Sequence, residues 1–265
     1  MKTVLRSLLR LVALLLMALL ALQLYFAGRI VAMNWLDPES TAFQRSEAWR
    51  VAQATGQLKW RQEWVPYDQI ADHLKRAVIA SEDATFAEHD GVDLEALEKA
   101  WDKNQKAKER ADRLAAEAAK RQAKLNPNKS NPAPPPPVAT APAKIVGGST
   151  ITQQLAKNLF LSGERTLLRK GQELVLTYML ERLLNKKRIL EIYLNSVEWG
   201  EGVFGAEAAA RHYFRKPAAK LTPYEAARLA VMLPRPRYFE KRPDSGYLMS
   251  RAQTITARMG GVVLP

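Results

Sequence analysis

Two short runs of this chain hold residue types that could do chemistry together. The first is Ser81-Glu82-Asp83-Ala84-Thr85-Phe86-Ala87-Glu88-His89-Asp90-Gly91. Ile70, Leu74 and Val78 recur every fourth position before it, one face of a helix, and Glu82 continues that row. A carboxylate on an apolar row is partly desolvated, so its proton affinity rises toward neutrality. That suits a general base taking a proton from a hydroxyl. The plainer alternative is a helix-end glutamate satisfied by local hydrogen bonds. Asp83 is rotated by ~100° from Glu82 and cannot point the same way. It is expected to orient its neighbour or to bind a cation.

The second run is Gly147-Gly148-Ser149-Thr150-Ile151-Thr152-Gln153-Gln154-Leu155-Ala156-Lys157-Asn158. It reads as a glycine turn opening a helix, with Thr150 and Gln153 placed for a capping box. Backbone N–H groups and the helix dipole at such a start attract phosphate. Gln153 and Lys157 share one face, and Gln154 and Asn158 another. Leu155 and Leu159 face elsewhere, toward a core. A third group is Arg165, Arg169, Lys170 and Glu173. Arg169 and Glu173 are four apart, which a simple intrahelical ion pair also explains. The functional alternative is several cations converging on a pyrophosphate, with Glu173 holding a cation or metal in place. Lys186, Lys187 and Arg188 are either further cations or a solvated helix end. A base beside an anion cradle is equipment for moving a group away from a phosphate.

Composition narrows the partners. The 265 residues suffice for one globular domain and an anchor. Cysteine is absent, which excludes disulfides and thiolate metal sites. The three histidines, His73, His89 and His212, do not pair at zinc-ligand spacing. A net charge of +13 favours an anionic partner. Leu11 to Gly28 carries no charge and is mostly Leu and Ala, and its apolar shoulders extend it to bilayer-spanning length. Lys2, Arg6 and Arg10 precede it, so the N-terminus is expected to stay cytoplasmic. The run is long for a cleaved signal and lacks a clear small-x-small cleavage site before Arg29. Such topology sets nucleic acid aside as a partner.

The elements that must position these groups follow along the chain. Residues 1–10 form a cytoplasmic tail, 11–31 the anchor, and 32–66 a membrane-proximal connector holding Trp35, Trp49, Trp60 and Trp64. The catalytic domain spans 67–265. Within it, 103–125 is rich in Ala, Lys, Arg and Glu, a solvated helix with little to bury. Residues 126–143 hold seven of the fifteen prolines, an extended linker. Together they make a basic, Pro-rich insertion at 103–143, either a solvated loop or a contact for anionic headgroups. Beyond Ile151, helical spacing dominates: Leu176, Leu180, Leu183 and Leu184 make one stripe, and Ile189, Ile192 and Tyr193 begin another helix. Ala206–Tyr213 and Pro223–Leu233 read as shorter helices, the latter with Thr222 as N-cap before proline. Strand signals are scarce, so the fold is expected to be mainly α.

The chain resembles the monofunctional biosynthetic peptidoglycan transglycosylases, relatives of the glycosyltransferase domain of class A penicillin-binding proteins. The resemblance rests on Glu82-Asp83-x-x-Phe86-x-x-His89-x-Gly91-x-Asp93, then Gly147 to Lys157, then Arg169-Lys170-x-x-Glu173. It continues through Lys186-x-x-Ile189-Leu190-Glu191-x-Tyr193-Leu194-Asn195, Gly202-x-x-Gly205, Ala209-Ala210-x-x-Tyr213-Phe214-x-Lys216 and Leu221-Thr222-x-x-Glu225-Ala226-Ala227. It runs from about Tyr67 to near the C-terminus, in the expected order. The insertion at 103–143 is a departure, since members usually join the first two motifs by a short connection.

The resemblance implies a lysozyme-like, two-lobed fold, a head and a jaw, behind the transmembrane helix. It implies a polymerase that transfers the growing glycan from its undecaprenyl pyrophosphate to the 4-hydroxyl of lipid II, with inversion to a β-1,4 bond. Glu82 would be the base and Glu173 would assist at the donor pyrophosphate. Asp83, Thr150, Gln153, Gln154, Lys157, Asn158, Arg165, Arg169, Lys170 and Lys186 complete the candidate substrate and pyrophosphate contacts. The cofactor expectation is magnesium or manganese carried by that pyrophosphate, with Asp83 or Glu173 as the protein groups open to it, and no organic cofactor. Expected partners are lipid II, the growing glycan, the bilayer, and cell-division or elongation synthases supplying the transpeptidase, because no Ser-x-x-Lys occurs. The implied location is the inner membrane, single-pass, with the catalytic domain periplasmic. Two rivals stand beside this reading. A lytic transglycosylase or muramidase on a related fold would cut glycan with a catalytic acid. A membrane-anchored scaffold would have no activity.

Overall fold

The computed structural model describes residues 2–125, 148–161 and 166–265. It divides into two compact units, Asp93–Ser149 and the remainder of the chain. The larger unit opens with α1 (Lys2–Ala32), followed by α2 (Ala42–Thr55), β1 (Arg61–Gln62) and a 3-10 turn (Tyr67–Gln69) before α3 (Asp72–Glu82). After the smaller unit come α5 (Ile151–Phe160), α6 (Leu167–Leu183) and α7 (Lys186–Ser196). Then follow β2 (Glu198–Gly200), β3 (Val203–Phe204), α8 (Ala206–Phe214), α9 (Pro223–Met232), α10 (Pro236–Glu240) and α11 (Gly246–Arg258). The smaller unit holds α4 (Leu94–Leu125), started by Asp93, whose side chain accepts from the Ala96 N–H at 2.7 Å. The mainly α expectation holds. The prolines of 126–143 lie outside the described residues.

α1 has 31 residues, about 46 Å of helix, against the ~30 Å of a bilayer core. Its first two-thirds are apolar and uncovered by the rest of the chain, which fits a single-pass membrane anchor. Its last turns are built into the body. Ile30 is fully buried, Phe26 meets Phe160 edge-on at 5.3 Å, and Gln23 and Gln172 exchange amide hydrogen bonds at 3.1 Å. Arg188, the third member of the basic triplet, is not a solvated helix end. Its guanidinium donates to Met33 O at 2.7 Å, Asp37 Oδ1 at 2.7 Å and Glu191 Oε2 at 2.9 Å, which seats the end of α1 on α7.

The stretch 32–66 is more than a connector. Thr41 and Gln44 form a capping box for α2, and the buried Gln44 amide donates to Ser196 O at 3.0 Å. Arg61 and Gln62 pair in parallel with Val203 and Phe204, and β2 lies antiparallel on the other side of β3. No strand period is readable here because a two-residue strand has none to show.

The core follows the apolar row read from the sequence. Leu74, Ala77 and Val78 of α3 are fully buried and pack against α9 and α11. Leu176 and Leu180 of α6 are fully buried against α5. Thr222 caps α9 with Pro223 in its first turn, as the sequence indicates. β3 turns into α8 at Gly205, where φ is +84° and an added Cβ would lie 2.7 Å from the Asn195 carbonyl oxygen. A backbone oxygen cannot step aside as a side chain would. Gly205→Ala is therefore expected to destabilise the fold by about 2 kcal/mol or more. Urea unfolding against the parent chain measures it.

Candidate active site

Glu82 is the last residue of α3. The buried row Leu74–Val78 fixes the rotation of the helix and so points Glu82 toward α5 and α7. Its Oε2 accepts from the Gln154 amide at 3.0 Å, and the Gln154 carbonyl oxygen accepts from the Tyr193 hydroxyl at 3.0 Å. Glu82 is only partly covered, yet burial is the largest influence on its carboxyl and raises its pKa. The Gln154 and Ser81 hydrogen bonds and the Lys157 charge pull the pKa back down, while Asp83 pushes it up. Lys157 is exposed on α5, one turn beyond Gln154. The Gln154 amide thus touches the carboxylate, and the Lys157 charge acts on it from the same helix.

Asp83 does something other than face a ligand. It is buried, one oxygen lies 2.8 Å from His89 Nε2, and the other accepts from the Ile151 N–H at 2.9 Å. His89 Nδ1 accepts from the Gly91 N–H at 3.1 Å, so its ring proton sits on Nε2 and is donated to Asp83. The first turn of α5 therefore already holds an anion, and that anion is Asp83. Thr150 and Gln153 form the capping box read from the sequence, each satisfying a backbone N–H of the other. The Thr150 hydroxyl also donates to Gly91 O at 2.6 Å. Of the N–H groups expected to cradle phosphate here, those of Ile151 and Gln153 are committed inside the protein instead. Gly91 itself has φ +87°, and a Cβ there would lie 2.7 Å from Thr177 Cγ2.

Lys186 closes the same loop from α7. Its ammonium donates to His89 O at 2.6 Å and to Glu181 Oε1 at 2.9 Å, and lies 4.5 Å from the centre of the Phe86 ring. Glu181 Oε1 also accepts from the Thr152 hydroxyl at 2.5 Å. Lys186, expected as a substrate cation, thus braces the 83–91 loop from within. The remaining group lies on α6. Glu173 is buried, with Arg169 Nη1 2.8 Å from one oxygen and Lys170 Nζ 2.5 Å from the other. The buried Arg169 Nε has no hydrogen-bond partner among the described residues. Asn158 is buried on α5, and Arg165 lies outside the described residues. α5 and α6 pack together, so the two groups sit on neighbouring helices. Sequence reasoning missed Tyr193 as a site residue. Its link to Gln154 spans 39 positions, and no local pattern reports such a pairing.

The Transglycosylase family model matches residues 50–113 and 138–260, and its break at 114–137 falls inside the basic, Pro-rich stretch. The chain is 50% identical over 249 residues to a biosynthetic peptidoglycan transglycosylase of Burkholderia thailandensis, covering 94% of this chain and 84% of that protein. A protein of the same name from Burkholderia pseudomallei is also 50% identical, with 94% and 84% covered. Another, from Paraburkholderia xenovorans, is 47% identical, with 94% and 89% covered. Identity at this level over nearly the whole chain, together with the match to the family model, means that the chain belongs to the biosynthetic peptidoglycan transglycosylases.

Proposed function

We propose that the protein polymerises lipid II into glycan strands, with Glu82 as the base. The observation that carries this reading is a carboxylate of raised proton affinity, held by Gln154 and facing the charge of Lys157. The 4-hydroxyl of lipid II gives its proton to Glu82 and attacks the anomeric carbon of the growing chain. The bond to undecaprenyl pyrophosphate breaks on the opposite face, so an α-linked donor becomes a β-1,4 product. Pyrophosphate leaves readily once its charge is met, and cations there replace the acid that a glycoside hydrolase needs. Lys157, Arg169 and Lys170 are the described cations for that task, with Arg165 from the resemblance. Glu173 holds Arg169 and Lys170 in place.

Magnesium or manganese enters this proposal only as a counter-ion travelling with the pyrophosphate. In this proposal Asp83 orders His89 and the start of α5, Glu173 orders Arg169 and Lys170, and neither is assigned a metal. No step is derived through a metal. The proposed setting is the inner membrane, with the N-terminus cytoplasmic, as Lys2, Arg6 and Arg10 favour, and the body periplasmic. Partners supplying the transpeptidase belong to the same proposal. The muramidase rival makes use of the raised pKa of Glu82 as well, since an acid also needs it. It gives the cations of α5 and α6 no task. Soluble fragments released from purified cell wall would support it.

Detergent-solubilised chain given lipid II is expected to make polymer, and Glu82→Gln to make none. Because burial raises the folded-state pKa of Glu82 above its unfolded value, this group favours folding only when protonated, and that benefit is lost as pH rises through the folded pKa. At pH 7 the charged carboxylate therefore costs stability. Glu82→Gln should melt at the same temperature as the parent or higher, which separates lost chemistry from lost folding. A Glu82→Gln chain that polymerises at the parental rate removes the base assignment.

The rate should fall at acid pH with a midpoint above the ordinary glutamate value of 4.5, because the base must be ionised. Lys157→Ala takes away a cation that favours the ionised form, so it should move that midpoint upward. The same substitution should slow polymerisation by about 100-fold, with the melting temperature little changed because the side chain is exposed. Steady-state rates across pH read both effects.

A further inference from the structure

Gln154 contacts Glu82 through an amide whose two ends are chemically opposite. One end donates and the other accepts, and the two are nearly the same size. Turned one way, the amide gives the carboxylate an N–H. Turned the other way, it sets a carbonyl oxygen against a negative charge. Packing cannot tell the two apart, so directional partners must: the ionised Glu82, which only accepts, and a donor that holds the far end of the amide. That donor is Tyr193 on α7, fully buried, with its hydroxyl 3.0 Å from Gln154 Oε1. Within the polymerase reading given above, on which this inference rests, we infer that Tyr193 is a positioning residue whose hydroxyl fixes the orientation of the Gln154 amide and thereby aims its N–H at the catalytic Glu82.

The direction of the contact is set by chemistry. A phenol can donate or accept, but with Nε2 given to the acceptor-only Glu82 the amide offers Tyr193 only its oxygen, and burial with the nearby Glu82 and Asp83 charges keeps the phenol proton in place to be donated. When the hydroxyl donates, Gln154 Oε1 must face Tyr193 and Nε2 must face Glu82, as observed. The ionisable groups influencing Glu82 are Asp83 beside it, Lys157 from α5 and Tyr193 from α7. Asp83 is occupied by His89 and Ile151, and Lys157 is exposed and acts on Glu82 through its charge. Gln154 is the hydrogen-bond contact that α5 makes with the base, and its other end is held by Tyr193. Tyr193 reaches no reacting atom in this scheme; it acts through the amide.

The test is a double-mutant cycle on the full chain, read as kcat and KM for lipid II polymerisation. Tyr193→Phe removes one oxygen and should lower kcat about 10-fold while leaving KM within about twofold. Gln154→Ala should lower kcat at least as much. The double variant should be no slower than Gln154→Ala, because a residue acting through Gln154 has nothing left to act on. Replacing Tyr193 by p-aminophenylalanine restores a donor of the same reach and should return kcat to within about threefold of the parent. Overturning results are a Tyr193→Phe kcat equal to the parent, a double variant that loses the product of both single effects, or an amino analogue no faster than Tyr193→Phe. If Tyr193→Phe does not fold, the amino analogue decides alone: folded and more than about 10-fold slow, it overturns the inference. A parent chain that makes no polymer sinks the polymerase reading and this inference with it, whereas an active parent matched by Tyr193→Phe sinks the inference only.

Discussion

The carboxylate of Asp83 is the joint on which the site depends. It is one residue from Glu82, at the end of α3, and it takes the first N–H of α5 and the ring N–H of His89. A helix start attracts an anion, and here the chain supplies its own. The consequence is geometric. The end of one helix and the beginning of another are locked within a hydrogen bond of each other, although 68 positions separate them in sequence. Gln154, one turn into α5, can then reach Glu82 only because Asp83 has brought Ile151 to that spot. His89 turns the same lock into a closed loop, since its other nitrogen takes the Gly91 N–H. Gly91 is pressed against Thr177 and Glu181 of α6, where a side chain would not fit. α3, α5 and α6 are thus joined around a single buried charge.

The basic residues divide by task once this is seen. Lys186 and Arg188 look alike in sequence and sit two apart, yet each is spent internally. Lys186 braces the loop that carries His89, and Arg188 seats the end of α1. Lys157 keeps its charge exposed on the face that carries Gln154 and acts on Glu82. Arg169 and Lys170 are tied to Glu173, and that pairing orders two cations at the expense of part of their charge. A net charge of +13 therefore says little about how many cations a ligand could meet. What decides is which of them already have a carboxylate or carbonyl within reach.

Much of this was legible in the sequence where the physics is local. The row Ile70–Leu74–Val78 gave the face of Glu82, and the Thr150–Gln153 spacing gave the capping box, because both depend on residues within one or two turns. The Arg169–Glu173 pair was readable for the same reason. Tyr193, His89 and Glu181 were not legible as site residues, since each acts on a partner from a different helix. The occupation of the α5 start by Asp83 was hidden likewise. A helix N-terminus shows that an anion is wanted, but not whether a ligand or the protein provides it. The α2 and β1 segments failed for a third reason: they are too short or too mixed to carry a period, and they are held by pairing with Ser196, Val203 and Phe204.

The burial that tunes Glu82 also sets a limit on the fold. A carboxylate kept in a poorly solvated place favours the protonated form, so the arrangement that makes a good base at neutral pH works against the ionised folded state. Three groups moderate this: the Gln154 amide, the Ser81 hydroxyl and the Lys157 ammonium. Two are neutral and one is an exposed cation. A buried arginine in their place would hold the carboxylate ionised but would lower its proton affinity and so its strength as a base. Neutral donors with one exposed cation keep Glu82 ionisable and still basic. This accounts for an uncharged amide, rather than a salt bridge, in direct contact with the carboxylate.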